Sequence, residues 1–260
     1  MKLFDSHCHL DDKSYQKDLD TVMDRAATAG VEAVMVVGVT QRSAEKAVAL
    51  ADKYPRVYAS VGIHPHDARE CSEQVLDRLR TLARHPKVCA WGETGLDFNR
   101  MYSPRRDQEK WFARQLEIAD DTGLPLIFHE RGSQGRFLEM LSSTHNGKRT
   151  GVVHCFSGNA SELSAYLDLG YCIGITGILT IKTRGAELRR LVSRIPAERL
   201  LIETDAPYLT PAPEKNRVRR NEPAFVKSTL LRLAQVREED PEDLARTIWD
   251  NTCRLYRIDS

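Results

Sequence analysis

The sequence predicts a single (β/α)8 TIM barrel spanning residues 1–260. Three observations carry that expectation. Eight short apolar runs alternate with longer amphipathic stretches along the chain. The length of 260 residues suits one such barrel, which takes about 250 residues. The first apolar run leads into His7-Cys8-His9-Leu10-Asp11-Asp12, whereas a doubly wound open sheet usually places a Gly-rich phosphate loop there.

The apolar runs predict strands at 3–6, 33–38, 57–63, 88–93, 125–129, 151–156, 171–175 and 200–205. The amphipathic stretches between them predict helices at 18–29, 43–53, 72–84, 104–122, 135–143, 160–170 and 186–193. Two more follow the last strand, at 223–236 and 241–256. Boundary residues agree: Gly30, Gly123 and Gly170 stand where a left-handed C-terminal cap falls. Pro104 and Pro223 suit a first turn, Ser72 a cap, and Asp243 a cap or first-turn acid. Parallel strands need right-handed crossover helices, and eight such units close on themselves. The longest irregular stretch, 207–222, follows the last strand and is rich in Pro and Arg. A long loop at that end of a barrel is a candidate substrate-binding segment.

Lys and Arg number 38 against 37 Asp and Glu, which excludes a protein that coats nucleic acid by bulk charge. A local basic patch, or bound metal ions, could still supply positive charge. The six cysteines (Cys8, Cys71, Cys89, Cys155, Cys172 and Cys253) form no CxxC pair, and in a chain of this length they predict a reducing cytoplasm. The N-terminus breaks into charge at once, so no signal peptide is expected, and no apolar run approaches a membrane span.

In a barrel, chemistry sits at the C-terminal ends of the strands. Those ends carry His7 and His9 after the first strand, His64 and His66 after the third, and Glu93 on the fourth. His129, with Arg131 just beyond, ends the fifth; His154 falls in the sixth; Glu203 and Asp205 close the eighth. His7 and His9 are two residues apart, so a strand points both to one face, where two imidazoles can bind one metal. Alone, such a pair is as often two satisfied polar residues; matching ligands at other strand ends tip the balance. Glu93 can bridge two ions with its two oxygens. Asp205 can ligate a metal and take a proton from water, and Glu203 can orient a ligand from behind, although a buried ion pair explains Glu203 equally well. Nucleophilic cysteine catalysis is disfavoured: Cys8 and Cys155 adjoin histidines, but neighbours on a strand face opposite ways.

The motifs His7-Cys8-His9-Leu10-Asp11, Gly62-Ile63-His64-Pro65-His66, Gly92-Glu93-Thr94-Gly95-Leu96-Asp97, His154-Cys155-Phe156-Ser157-Gly158, Glu203-Thr204-Asp205-Ala206-Pro207-Tyr208-Leu209 and Arg220-Asn221-Glu222-Pro223 together resemble the TatD family. These are metal-dependent deoxyribonucleases of the amidohydrolase-like barrel superfamily, and the resemblance runs in order along the whole chain. It implies that His7, His9, Glu93 and Asp205 hold one divalent ion. Glu93 bridges to a second, completed by His129 and His154. The resemblance also implies that His64 touches the scissile phosphate and that DNA is trimmed from the 3′ end, with RNA a substrate for some members. Where many members carry Arg-Asp-Ala after the fifth-strand histidine, this chain has Arg131-Gly132-Ser133, which bears on support of the site or on substrate detail.

The expectation is therefore phosphodiester hydrolysis with Asp205 as general base, Glu93 and His64 in the catalytic centre, and His64, Arg131, Arg219 and Arg220 on phosphate. Lys215 and Arg217 extend that basic mouth, and Mg2+, Zn2+ or Mn2+ is the expected ion. Nucleic acid is the expected partner, without a membrane or an obligate protein partner. A small-molecule amidohydrolase acting on an amide, ester or lactone uses the same metal constellation, and the Arg-rich loop argues against it. A non-catalytic binding barrel is disfavoured by the intact ligand set.

Overall fold

The computed structural model describes residues 1–144 and 147–259. Strands and helices alternate as β1 (Leu3–Cys8), α1 (Leu19–Thr28), β2 (Val31–Val37), α2 (Gln41–Lys53), β3 (Val57–Val61), α3 (Glu73–Leu82), β4 (Val88–Asp97) and α4 (Arg105–Thr122). They continue as β5 (Leu126–Arg131), α5 (Arg136–Ser143), β6 (Gly151–Val153), α6 (Ala160–Asp168), β7 (Cys172–Ile175), α7 (Ala186–Leu191) and β8 (Leu200–Ile202). A short α8 (Ala212–Lys215) lies within the loop expected to be irregular, and α9 (Val226–Arg237) and α10 (Pro241–Tyr256) follow.

Among the described residues, eight strands form one sheet in sequence order, each parallel to the next. The first and last strands then meet. Asp205 N donates to His7 O at 2.9 Å, and His9 N donates to Ala206 O at 2.7 Å. The buried Asp5 carboxylate accepts from Thr204 N at 2.8 Å and from Thr204 Oγ1 at 2.5 Å, fastening the same seam. The predicted barrel is the fold.

Two apolar regions hold it together. Outside the sheet, Val36, Val61 and Phe128 pack against helix residues such as Ala47, Leu76 and Phe112. Inside the lower half, Phe4, Met35, Ile127, Val152 and Leu201 converge, and α10 seals the N-terminal mouth with Trp249 and Tyr256. Their rings lie 5.7 and 6.3 Å from Phe4. Burying each such side chain stabilises the fold by about 1.5–3 kcal/mol. Helix α10 starts cleanly because Asp240 accepts from the amides of Glu242 and Asp243, Pro241 occupies the first turn, and two acids face the positive end of the helix.

Strand ends differ from expectation in both directions, and two fall three residues short. Strand β6 stops at Val153 and β8 at Ile202, where extended structure was expected to reach residues 156 and 205. Just beyond those ends, Cys155 has φ 48° and Asp205 has φ 57°. That left-handed backbone cannot continue a strand, and it turns each segment at the mouth.

Candidate metal centre

The C-terminal mouth brings His7, His9, His64, Glu93, His129, His154 and Asp205 into one cluster. Glu93 is at its middle and buried. Its Oε2 lies 3.4 Å from His7 Nε2 and 3.9 Å from His9 Nε2. Its Oε1 lies 2.8 Å from His129 Nδ1, 3.6 Å from His154 Nε2 and 3.4 Å from His64 Nε2. The two oxygens of one carboxylate thus face two different sets of donors. Asp205 Oδ1 completes the first set, 3.4 Å from His9 Nε2 and 3.8 Å from His7 Nε2.

Proton positions follow from what each imidazole touches on its far side. His9 Nδ1 lies 3.3 Å from Val37 O, which can only accept, so Nδ1 carries a proton and Nε2 is the nitrogen turned to the centre. His154 Nδ1 faces the Glu203 Oε1 carboxylate at 2.8 Å and presents Nε2 toward Glu93. His129 Nε2 faces the Asp97 carboxylate at 3.5 Å and presents Nδ1 inward. His64 is the reverse case. Its Nδ1 accepts from the His66 amide at 3.0 Å, so its proton sits on Nε2, aimed at Glu93 and His129. With an ion bound, His9, His154 and His129 would turn these inward nitrogens to it as lone-pair donors, while His64, whose Nδ1 is engaged by the His66 amide, would offer a hydrogen.

This donor set fits divalent metal ions. His7 Nε2 and His9 Nε2 are 3.3 Å apart. Ligand atoms about 2.0–2.1 Å from one tetrahedral ion stand roughly 3.3–3.4 Å from each other. The carboxylate or carbonyl behind a coordinating imidazole is the usual arrangement for orienting it.

Without an ion, protons take part of its place. Burial raises the Glu93 carboxyl, but the surrounding His64, His154 and His7 outweigh it and hold it well below its ordinary range. Burial pushes His64 down to about 4, with His129 adding to the effect against Glu93. Burial also opposes charge on His9 and His129, yet Asp205 in one case and Asp97 with Glu93 in the other hold each at about 9. His7 is lowered, first by burial and then by His154.

A family model for TatD related DNases matches residues 4–257. The chain belongs to the TatD related DNase family. Within it, the chain is 40% identical over 258 residues to a protein from Salmonella typhimurium named 3'-5' ssDNA/RNA exonuclease TatD, covering 98% of this chain and 99% of that one. A protein of the same name from Citrobacter koseri is 41% identical over the same proportions. A crystal structure of a TatD homologue from Escherichia coli superposes with a TM-score of 0.91 at 30% identity, over 99% of this chain and 98% of the other.

Around the cluster of this TatD family chain, Glu203 stands behind His154, and its Oε1 also accepts from the Cys155 amide at 2.6 Å. Gly174 on β7 makes room for it: a Cβ there would lie 2.6 Å from Glu203 Oε2. Arg131 and Arg219 are exposed, Arg131 at the end of β5 and Arg219 in the loop after β8. Arg220, expected on phosphate, is paired within the protein. Its guanidinium donates to both oxygens of Asp18, at 2.8 and 2.6 Å, and to Ser14 O, and it stacks on Tyr15. With its donors facing an acid, it braces the β8 loop against the start of α1.

The next residue strengthens that brace. Asn221 Nδ2 donates to Thr204 O at 2.9 Å and to Tyr208 O at 2.6 Å, stapling the turn that carries Asp205. Sequence reasoning passed over Asn221 as an individual residue, and it missed Asp97, which receives His66 Nε2 at 2.7 Å and stands behind His129. A signal for Asp97 was present: Glu93, Gly95 and Asp97 share parity on one strand, and Gly95 lets the backbone of β5 approach closely.

Proposed function

We propose that residues 1–260 act as one metal-dependent phosphodiesterase unit, trimming single-stranded DNA, and RNA, from the 3′ end. The observation that carries this reading is the Glu93 carboxylate, whose two oxygens face two separate donor sets. The names of the relatives from Salmonella typhimurium and Citrobacter koseri supply the substrate and polarity.

His7, His9, Glu93 and Asp205 would hold one ion, and Glu93, His129 and His154 a second. When bound, such ions neutralise phosphate charge, acidify water and stabilise the leaving oxygen. The imidazoles suit Zn2+ or Mn2+; Mg2+ favours oxygen ligands and gains some from the substrate phosphate. Asp205 accepts the proton of the attacking water. His64 keeps its proton on Nε2 and donates it in a hydrogen bond to a phosphate oxygen. Arg131 and Arg219 add charge-assisted hydrogen bonds at the rim. Glu203 and Asp97 fix the rings of His154 and His129. Among the described residues no helix is long and apolar enough to cross a membrane. The six cysteines are free thiols, which supports work in the cytoplasm.

Purified protein with Mg2+ or Mn2+ should shorten 5′-end-labelled single-stranded DNA one nucleotide at a time, and Asp205→Ala should not. Equal silence of both proteins across several metals would sink the proposal.

A further inference from the structure

Among the described residues, Tyr102 and Tyr208 are the only aromatic side chains more than half exposed, at 53% and 55%. Neither is placed at random. Tyr208 meets His9 edge-on with centroids 6.0 Å apart, on the side of the cluster built by His9 and Asp205. Tyr102 meets His66 edge-on at 4.7 Å, and His66 in turn lies 4.2 Å from His64. Tyr208, on the loop after β8, thus adjoins the histidine beside Glu93 Oε2, and Tyr102, on the loop after β4, adjoins through His66 the histidine beside Oε1.

Both are displayed from fixed backbone. Tyr208 N donates to Asp205 O at 2.8 Å, and Tyr208 O accepts from the buried Asn221. Beside Tyr102, the buried Ser103 donates to His66 O at 2.7 Å and accepts from the Arg69 amide at 3.0 Å. A surface ring costs the protein exposed apolar area, and ordering its support costs more, so a pair held at the rim of one site points to flat ligands. Single-stranded nucleic acids supply such ligands. Their bases stack on aromatic rings while basic side chains follow the backbone. Exposed Arg100 lies on the Tyr102 loop, and Lys215, Arg217 and Arg219 lie on the Tyr208 loop.

We propose that Tyr102 and Tyr208 are stacking platforms for the two nucleobases that flank the scissile phosphate, so that the strand crosses the mouth from one ring to the other. The inference rests on the nuclease reading above. It makes the enzyme tolerant of sequence, because every base has a π-face, and demanding of bases at two adjacent positions.

The test uses metal-loaded full-length protein and 5′-labelled oligothymidylate, compared with oligonucleotides carrying an abasic residue at the terminal or the penultimate position. Tyr102→Ala and Tyr208→Ala should each raise KM about tenfold, with kcat changed less than about threefold. Tyr102→Phe and Tyr208→Phe should stay near wild type, because the ring remains. Each Ala variant should add no further loss on the oligonucleotide that already lacks the base its ring would hold. Ala variants with wild-type KM would overturn the proposal, as would a loss that persists undiminished on an oligonucleotide lacking both bases. A wild-type protein that cleaves no DNA removes the nuclease reading itself, a result distinct from either of these.

Discussion

The two mouths of the barrel share eight strands and solve opposite problems. Phe4 and His7 are three residues apart on β1. Phe4 packs against Trp249 in the sealed lower mouth; His7 faces Glu93 and Asp205 in the open upper one. The lower half removes apolar surface from water, which stabilises without reference to any ligand. The upper half buries a carboxylate among imidazoles, which costs free energy unless every charge finds a partner. One end of the barrel holds the fold; the other is held by it.

Trp249→Ala tests the lower half and should have the largest effect. Truncating a fully packed aromatic costs about 3–5 kcal/mol, lowering Tm sharply in calorimetry. Metal stoichiometry and KM of the protein that remains folded should not move. A change in KM comparable to the change in Tm would erase the division between the two mouths.

Glu203→Gln tests the support of the upper half. Losing the carboxylate behind a coordinating imidazole typically weakens metal affinity or activity by about 10–100-fold. Titration of the metal-free protein with Mn2+ should show the loss in affinity, with Tm of the metal-free protein nearly unchanged. If Tm falls as far as in Trp249→Ala, Glu203 belongs with the core and not with the site.

The smallest effect concerns pH. His9 and His129 are held at about 9, above the ordinary histidine value near 6.5. Their protonated forms stabilise the metal-free protein fully below about pH 6.5, and that stabilisation is lost as pH rises through about 9. Ions compete with those protons. The gain in Tm on adding Mn2+ should therefore widen by a few degrees between pH 6.5 and pH 9, as measured by differential scanning fluorimetry. A gain that narrows over this window would show that these two histidines do not face the ions.

The division between the mouths also decides what could be read from sequence. Apolar runs of strand length announced the barrel, and histidines and acids at their ends announced the cluster, because both signals are local. Asp97 was missed because its partners His66 and His129 lie on other elements, and β4 runs four residues past the expected end. The charge of Arg220 is visible in a sequence and its partner within the protein is not. Asp18 lies 202 positions away. Strands β6 and β8 looked longer than they are because apolar content cannot reveal a residue that turns left-handed.

The seam between β1 and β8 has a consequence in time. His7 and Asp205 are fastened by bonds that span about two hundred positions, including Ser6 Oγ to Ile202 O and the Asp5 contacts with Thr204. Asn221 then staples the turn from further along still. A ribosome delivers the histidines of the first strand long before the acid they work beside. The emerging chain holds only part of the His/Glu/Asp cluster until the last strand and its brace have left the exit tunnel. A cell that translates this message beside its own nucleic acids thus receives a cutting edge that is assembled last.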